Sequence, residues 1–313
     1  MDSPQVDLYC EPMNLRIFPS MLLTVSLLGP PLFGGTDYES DWKQWERLAE
    51  TGDATAQYRL GNFYENGWGV PVDYKSAATW YLRAATQGQT DAQYNLGIMY
   101  LNGRGVARDA KEASAWFQKA ADAGDKLAQC NLGALYEQGL GVTQDSSQAL
   151  KWFLASAKQG DSMAQYNLGV KYMDGAGVPR DAGEARRWLE LSAEQDYAAA
   201  QYKLGWLYSN GEDLSQDLNK AGSWFRLAAQ QGEPLALYAL GVMTATGRGV
   251  PPDAVAAFAF LTLSADRGYG AAVETRARLE KAMTQDAIRR GQELAKSWKP
   301  QREIPLDQRQ KRP

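Results

Sequence analysis

Six aspartates recur at intervals of 36 residues, Asp73, Asp109, Asp145, Asp181, Asp217 and Asp253. By type and spacing this carboxylate ladder is the part of the sequence best equipped to do chemistry. Repeated carboxylates can ligate hard cations or move protons as general acids and bases. A set such as Glu137, Asp174 and Glu212 would serve a weak cell-wall hydrolase or β-lactamase-like enzyme in that way. The composition weighs against such chemistry. The chain has no histidine, which removes the commonest general base at neutral pH and the commonest nitrogen ligand. Its two cysteines, Cys10 and Cys130, are too few for a disulfide framework or a cysteine-rich metal centre. The expectation is a protein that is not an enzyme, with no cofactor and no metal.

The aspartates have a structural explanation in the elements around them. Apolar residues at Ala56, Leu60, Phe63 and Tyr64 follow the rhythm of an amphipathic helix, and Ala77, Trp80, Tyr81, Ala84 and Ala85 repeat it after a Gly67-Trp68-Gly69-Val70 turn. Each 36-residue block is thus read as two helices. The first closes on Gly67 and the second opens at Asp73, whose carboxylate accepts from backbone N–H groups left unpaired in the first turn. Glu112, Gln148 and Glu184 stand three residues after an aspartate and predict capping boxes. Gly61, Gly97, Gly133, Gly169, Gly205 and Gly241 fall inside the first helix, each costing about 1 kcal/mol against alanine. Close approach of the second helix offsets that cost, with Trp80, Trp116, Trp152, Trp188, Trp224 and Phe260 as the expected partners.

The opening string Ala56-Gln57-Tyr58-Arg59-Leu60-Gly61 returns from Ala92, Ala128, Ala164, Ala200 and, more loosely, Ala236. The turn returns at Gly103, Gly139, Gly175 and Gly247, with Gly211-Glu212-Asp213-Leu214 the one departure. These strings, the Tyr-x-x-Gly-x-Gly-Val turn of Tyr100 to Val106 and the Asp-x-x-x-Ala-x-x-Trp helix of Asp109 to Trp116, resemble the Sel-1-like repeat family, relatives of tetratricopeptide repeats. The resemblance implies an all-α, right-handed α-solenoid superhelix with a 36-residue period, and a non-catalytic protein-interaction scaffold or adaptor. Exported members of the family are scaffolds in bacterial envelope assembly, in signalling or in contacts with host proteins. A penicillin-linked group carries a cysteine pair in each repeat, and Cys130 has no such mate.

Residues 52–267 are read as six repeats, 37–51 as an N-terminal capping helix, 268–298 as a C-terminal capping hairpin and 299–313 as a flexible basic tail. Residues 1–36 form a leader. Met13-Asn14-Leu15-Arg16 followed by the uncharged stretch Ile17 to Thr36 has the order of a secretory signal, so a periplasmic or exported protein is expected. An uncleaved anchor in the inner membrane and a cytoplasmic leader are the alternatives, and a membrane is a partner only if the leader stays in place. A net charge of -4 carries no nucleic-acid footprint, and a monomer is expected.

A partner then has to be sought where the repeats differ. Spacing of 4, 3 and 4 places Thr55, Arg59, Asn62 and Asn66 on one stripe of the first helix. Later copies read Asp91, Asn95, Ile98, Asn102, then Leu127, Asn131, Ala134, Gln138, then Met163, Asn167, Val170, Asp174, then Ala199, Lys203, Trp206, Asn210. In relatives of this kind the first helices line a concave face. Asn95, Asn131 and Asn167, with Lys203 and Asn210, offer hydrogen bonds to an extended peptide or protein segment, while Met163, Val170 and Trp206 receive its side chains. Bridging between neighbouring helices is an alternative role for the central asparagines. Trp206, unrepeated at its phase, is the leading anchor, and Trp68 is a second candidate.

Overall fold

The computed structural model describes residues 38–211 and 215–300. The leader with its signal segment, the altered turn at 212–214 and the tail from 301 onward lie outside the described residues. Fifteen helices and no strand occur among those described. Helix α1 (Tyr38–Glu50) precedes α2 (Ala54–Asn66), α3 (Tyr74–Thr86), α4 (Thr90–Asn102), α5 (Ala110–Asp122) and α6 (Lys126–Gln138). Then come α7 (Ser146–Lys158), α8 (Ser162–Asp174), α9 (Ala182–Ala193), α10 (Ala198–Asn210), α11 (Leu218–Gln230), α12 (Pro234–Thr246) and α13 (Ala254–Asp266). The last described helices are α14 (Gly270–Glu280) and α15 (Gln285–Ser297). Two compact units result, unit 1 from residues 38–125 with 134–145, and unit 2 from 126–133 with the described residues from 146.

Even-numbered helices α2 to α12 are the first members of the six repeats, and each packs against the helix that follows it. Each of α2, α4, α8, α10 and α12 ends on a glycine in the left-handed region, with φ between 69 and 72°. The second glycine of the turn has a different task. A Cβ on Gly105 would lie 2.0 Å from the Tyr74 carbonyl oxygen, and one on Gly141 would lie 2.0 Å from that of Ala110. The turn of one repeat therefore rests directly on the first backbone turn of the second helix in the repeat before.

The helix-interior glycines do meet a bulky side chain, one residue later than the sequence pattern predicts. A Cβ on Gly61 would lie 2.5 Å from the Tyr81 ring, and Gly97, Gly205 and Gly241 stand in the same relation to Phe117, Phe225 and Leu261. Trp80, Trp116, Trp188, Trp224 and their kin are not the partners. Trp80 packs into a cluster with Ala49, Trp42 and Trp45 as well as Ala56 and Leu60. Trp116 joins Tyr58, Ala77 and Ala84 with Ala92 and Leu96. Trp80 and Trp116 thus reach back to the preceding helix or repeat, while the next residue closes the hairpin. Neighbouring helix positions differ by about 100° around the axis, so two adjacent bulky residues serve two different interfaces.

The aspartates cap as expected. Asp109 accepts from the N–H groups of Lys111 and Glu112, Asp181 from Gly183 and Glu184, and Asp253 from Val255 and Ala256. At Asp109 and Asp181 the second half of the capping box does not form. The cap N–H that Glu112 and Glu184 were to receive is already donated to the preceding helix, from Asp109 to the Tyr100 carbonyl at 2.9 Å and from Asp181 to that of Tyr172 at 3.0 Å. Asp73 and Asp217 make the same bond to Tyr64 and Tyr208. This bond ties the two helices of a repeat together across the turn.

A second polar ladder runs through the repeats on the glutamines of the opening string. Gln57, Gln93, Gln165 and Gln201 are buried, and each donates its Nε2 to the carbonyl of Ala49, Ala85, Ala157 or Ala193 at the end of the preceding helix. Their Oε1 atoms accept from a glutamine 30 residues on: Gln87 to Gln57 at 2.8 Å, Gln195 to Gln165 at 2.7 Å and Gln231 to Gln201 at 2.9 Å. At the corresponding place for Gln93 stands Ala123, and Gln93 Oε1 is buried without a partner. The backbone of Ala123 (φ -77°, ψ -1°) is close to that of Gln87 (φ -88°, ψ 2°). Ala123→Gln is therefore expected to stabilise the protein by about 0.5–1 kcal/mol, the net worth of one hydrogen bond to a formerly unsatisfied buried acceptor. An unchanged or lowered urea midpoint would show that the ladder does not contribute.

In unit 2, α14 and α15 follow the last repeat, and each leans on α13. Helix α13 carries no charge from Ala254 to Ala265 and is apolar all round, the pattern of a helix covered on every side. Phe258, at a phase where the other repeats have Ala78, Ser114, Leu150, Arg186 and Gly222, lies under Gly291 of α15, whose Cβ would come within 2.8 Å of the ring. Arg267 covers the Trp298 ring at 4.8 Å, and Ala295 joins the unit 2 core.

Candidate functional site

The stripe on the first helices is more deeply set than a free surface. In unit 1, Thr55, Asn66, Asp91 and Asn102 are exposed, while Asn62 and Asn95 are buried at 5 % and 7 % exposure. In unit 2, Asn131, Asn167 and Lys203 are likewise buried at 5 to 7 %, and Met163, Val170, Trp206 and Asn210 are half-buried. Asn131 donates its Nδ2 to the Leu127 carbonyl one turn back, at 3.0 Å. The central positions of the stripe thus form its floor, with Met163, Val170, Trp206 and Asn210 standing higher in unit 2. Trp206 packs against the unit 2 core together with Val170 and Ala199. Its indole Nε1 is buried with no hydrogen-bond partner. Trp68 packs edge-on against Phe63, with ring centroids 5.9 Å apart.

The three carboxylates considered for acid–base work are placed separately. Glu137 belongs to unit 1, Asp174 is exposed in unit 2, and Glu212 lies outside the described residues. Among the described residues no group of three or more His, Cys, Asp or Glu could hold a metal ion, and no described helix is long and apolar enough to cross a membrane. Cys130 is fully buried, and burial pushes its thiol well above the ordinary range, with the Asp161 carboxylate adding to the effect. Such a thiol is neither a nucleophile nor a ready metal ligand at neutral pH. Burial also raises Asp161, against the bonds it accepts from the Ala164 N–H and Cys130.

The family model described as the Sel1 repeat matches six consecutive segments, residues 54–89, 90–125, 126–161, 162–197, 198–233 and 234–269. The chain belongs to the Sel1 repeat family. Among solved structures it is similar to a protective antigen of uropathogenic Escherichia coli strains that displays this fold, at 34 % identity and a TM-score of 0.74, over 80 % of this chain and 54 % of the antigen. The chain therefore spans about half the length of that relative. A Sel1 repeat protein from Oxalobacter formigenes is similar at 31 % identity and a TM-score of 0.66, over 77 % of this chain and all of that one. No curated protein matches it. Sel1 repeat proteins generally serve as scaffolds for protein–protein interaction.

Within this Sel1 array one polar cluster escaped the sequence reading. The Tyr81 hydroxyl, on the buried face of α3, lies 2.6 Å from Asn62 Oδ1 and 2.6 Å from Glu65 Oε2, both on α2. Asn95, from α4, sets its amide beside the same hydroxyl, with its Nδ2 short of a completed hydrogen bond. At the phase of Tyr81 the other repeats carry Phe117, Phe153, Leu189, Phe225 and Leu261, and at that of Asn62 they carry Ile98, Ala134, Val170, Trp206 and Val242. A hydroxyl where every other repeat is apolar was the available signal.

Proposed function

We propose that this Sel1 protein is a non-catalytic scaffold of the bacterial envelope that holds a protein or an extended peptide along the first helices of its repeats, acting as a monomer. The observation that carries the reading is the stripe of unit 2. There the half-buried Met163, Val170 and Trp206 stand beside the amides of Asn131, Asn167 and Asn210, and Trp206 has no counterpart at its phase in the other five repeats. Apolar sockets alternating with amides suit an extended chain, whose side chains and backbone alternate in the same way. The leader beginning at Met13 and the likeness to a protective antigen support placement in the envelope.

Two measurements test this. A photo-crosslinker at Val170 in the full chain, with the captured segment mapped by mass spectrometry, identifies the occupant. The affinity of that segment for Trp206→Ala is expected to fall about 10- to 100-fold, on the order of 2 kcal/mol. An affinity unchanged by Trp206→Ala removes the α10 surface from the site. N-terminal sequencing of the mature protein is expected to begin near Asp37, and retention of the leader in a soluble cytoplasmic protein would overturn the envelope assignment.

A further inference from the structure

Each full repeat buries the same two positions between its own helices. On the second helix the position is that of Ala84, and Ala84, Ala120, Ser156, Ser192, Ala228 and Ser264 are all 0 % exposed. The serines show what lies opposite: Ser192 and Ser264 donate to the carbonyls of Ser162 and Pro234, at the start of the first helix of the same repeat. On the first helix the position is that of Gln57, where every residue from Gln57 to Leu237 is buried and Gln57 itself meets Gln87 at the end of its second helix.

The two ends of the array break this rule. Helix α1 has the phase of a second helix, and Leu48, at the position of Ala84, is 42 % exposed. Helix α14 has the phase of a first helix, with Ala272 buried as Ala56 is, yet Val273, at the position of Gln57, is 46 % exposed. Among the described residues no helix precedes α1, and α15 leans on α13. One half-repeat is thus a second helix without its first, and the other a first helix without its second. We propose that they complete each other between copies of this chain, α1 of one packing on α14 of the next as the second helix of its hairpin.

The two faces are matched. Leu48 then meets Gly270, which stands at the position of Ser162 and Pro234 and has nothing within 4 Å of its Cβ position, so there is room for a side chain larger than the usual alanine or serine. Ala277, exposed, replaces the helix-interior glycine. It sets the helices farther apart, and Trp45, at the phase of Tyr81 and Phe117, is the longer ring that such a gap needs. Arg278 and Lys281 stand where Asn62 and Glu65 meet the Tyr81 hydroxyl. Two cations therefore face the indole, the side chain that attracts them best. By sequence α1 has two more acidic than basic residues, and the segment 270–297 two more basic than acidic ones. Two different surfaces meet in this contact, so association continues to a ring or an open chain. The stripe of unit 2 lies within one chain, so the monomer is the dilute form and joining repeats its binding surface.

Sedimentation velocity of the full chain, with two variants each blocked at one end, tests the proposal. Leu48→Arg blocks α1 and Ala277→Arg blocks α14, both at positions exposed in the single chain. The unaltered chain is expected to gain mass with concentration, and each variant alone to associate at least about 10-fold more weakly. A mixture of the two variants is expected to form a pair and nothing larger, because the open α14 of one meets the open α1 of the other. A single-chain mass for the unaltered protein up to about 1 mM, where even weak association is populated, overturns the proposal. So does an association that withstands either block, or a mixture that forms no pair.

Discussion

Gly105→Ala is expected to destabilise the protein by about 3–5 kcal/mol, although it adds a single methyl group to an external turn. Two effects combine. The residue has φ +69°, a conformation that costs an L-residue about 1–2 kcal/mol. The new Cβ would also lie 2.0 Å from the Tyr74 carbonyl oxygen and 2.3 Å from its carbon, so a backbone-on-backbone contact between two repeats has to open. Gly88→Ala separates the two effects. Gly88 has φ +89° and nothing within 4 Å of its Cβ position, so that change should cost only about 1–2 kcal/mol. Urea unfolding of both variants decides the matter: losses of equal size would mean that the turn of α4 does not bear on α3.

The second large effect concerns which ring closes a repeat. Phe225 is 2 % exposed, lies beneath Gly205 and stacks obliquely on Tyr202 with ring centroids 5.7 Å apart. Phe225→Ala should cost about 3–5 kcal/mol, the transfer of a buried ring plus the cavity left behind. Trp224, the larger residue, is half-buried against the same core. Its replacement by alanine should cost about 1–2 kcal/mol, in proportion to the smaller apolar area lost to solvent. A greater loss at Trp224 than at Phe225 would restore tryptophan as the partner of the helix-interior glycine.

That pair marks the boundary of what could be read from the sequence. The period, the two helices per repeat, the glycine stops and the aspartate caps were legible because each recurs six times at one phase and rests on local chemistry, namely a left-handed backbone or an oxygen within reach of an N–H. The assignment of rings to interfaces was not legible. Trp80 and Tyr81 are both large and adjacent, and only the rotation of about 100° between them separates their roles. The capping boxes failed for a similar reason. Glu112 is correctly placed along the chain, but the donor it needs is taken by the Tyr100 carbonyl, a contact made across a turn.

The candidate site divides in the same way. Spacing put Asn95, Asn131, Asn167 and Lys203 on one line with Met163, Val170, Trp206 and Asn210, yet it could not say which members of the line sink between neighbouring helices. The Tyr81 cluster was hidden because its parts, Asn62 and Glu65 on one helix, Tyr81 on the next and Asn95 on the one after, come together only once three helices pack. The covering of α13 by α15 did leave a trace, in the missing charges from Ala254 to Ala265.

The fit of Phe258 into the space left by Gly291 has a bearing on how such an array can be lengthened. Repeats that share one set of contacts are interchangeable, and a 36-residue block duplicated anywhere upstream of Pro234 meets the neighbours it was built for. The sixth block is different in kind, because its second helix packs not only on α12 but also against α14 and α15. A block inserted after residue 269 would leave an uncharged helix uncovered and a glycine helix without its ring. In the vocabulary of polymers, α13 acts as a terminator for the repeats of this chain.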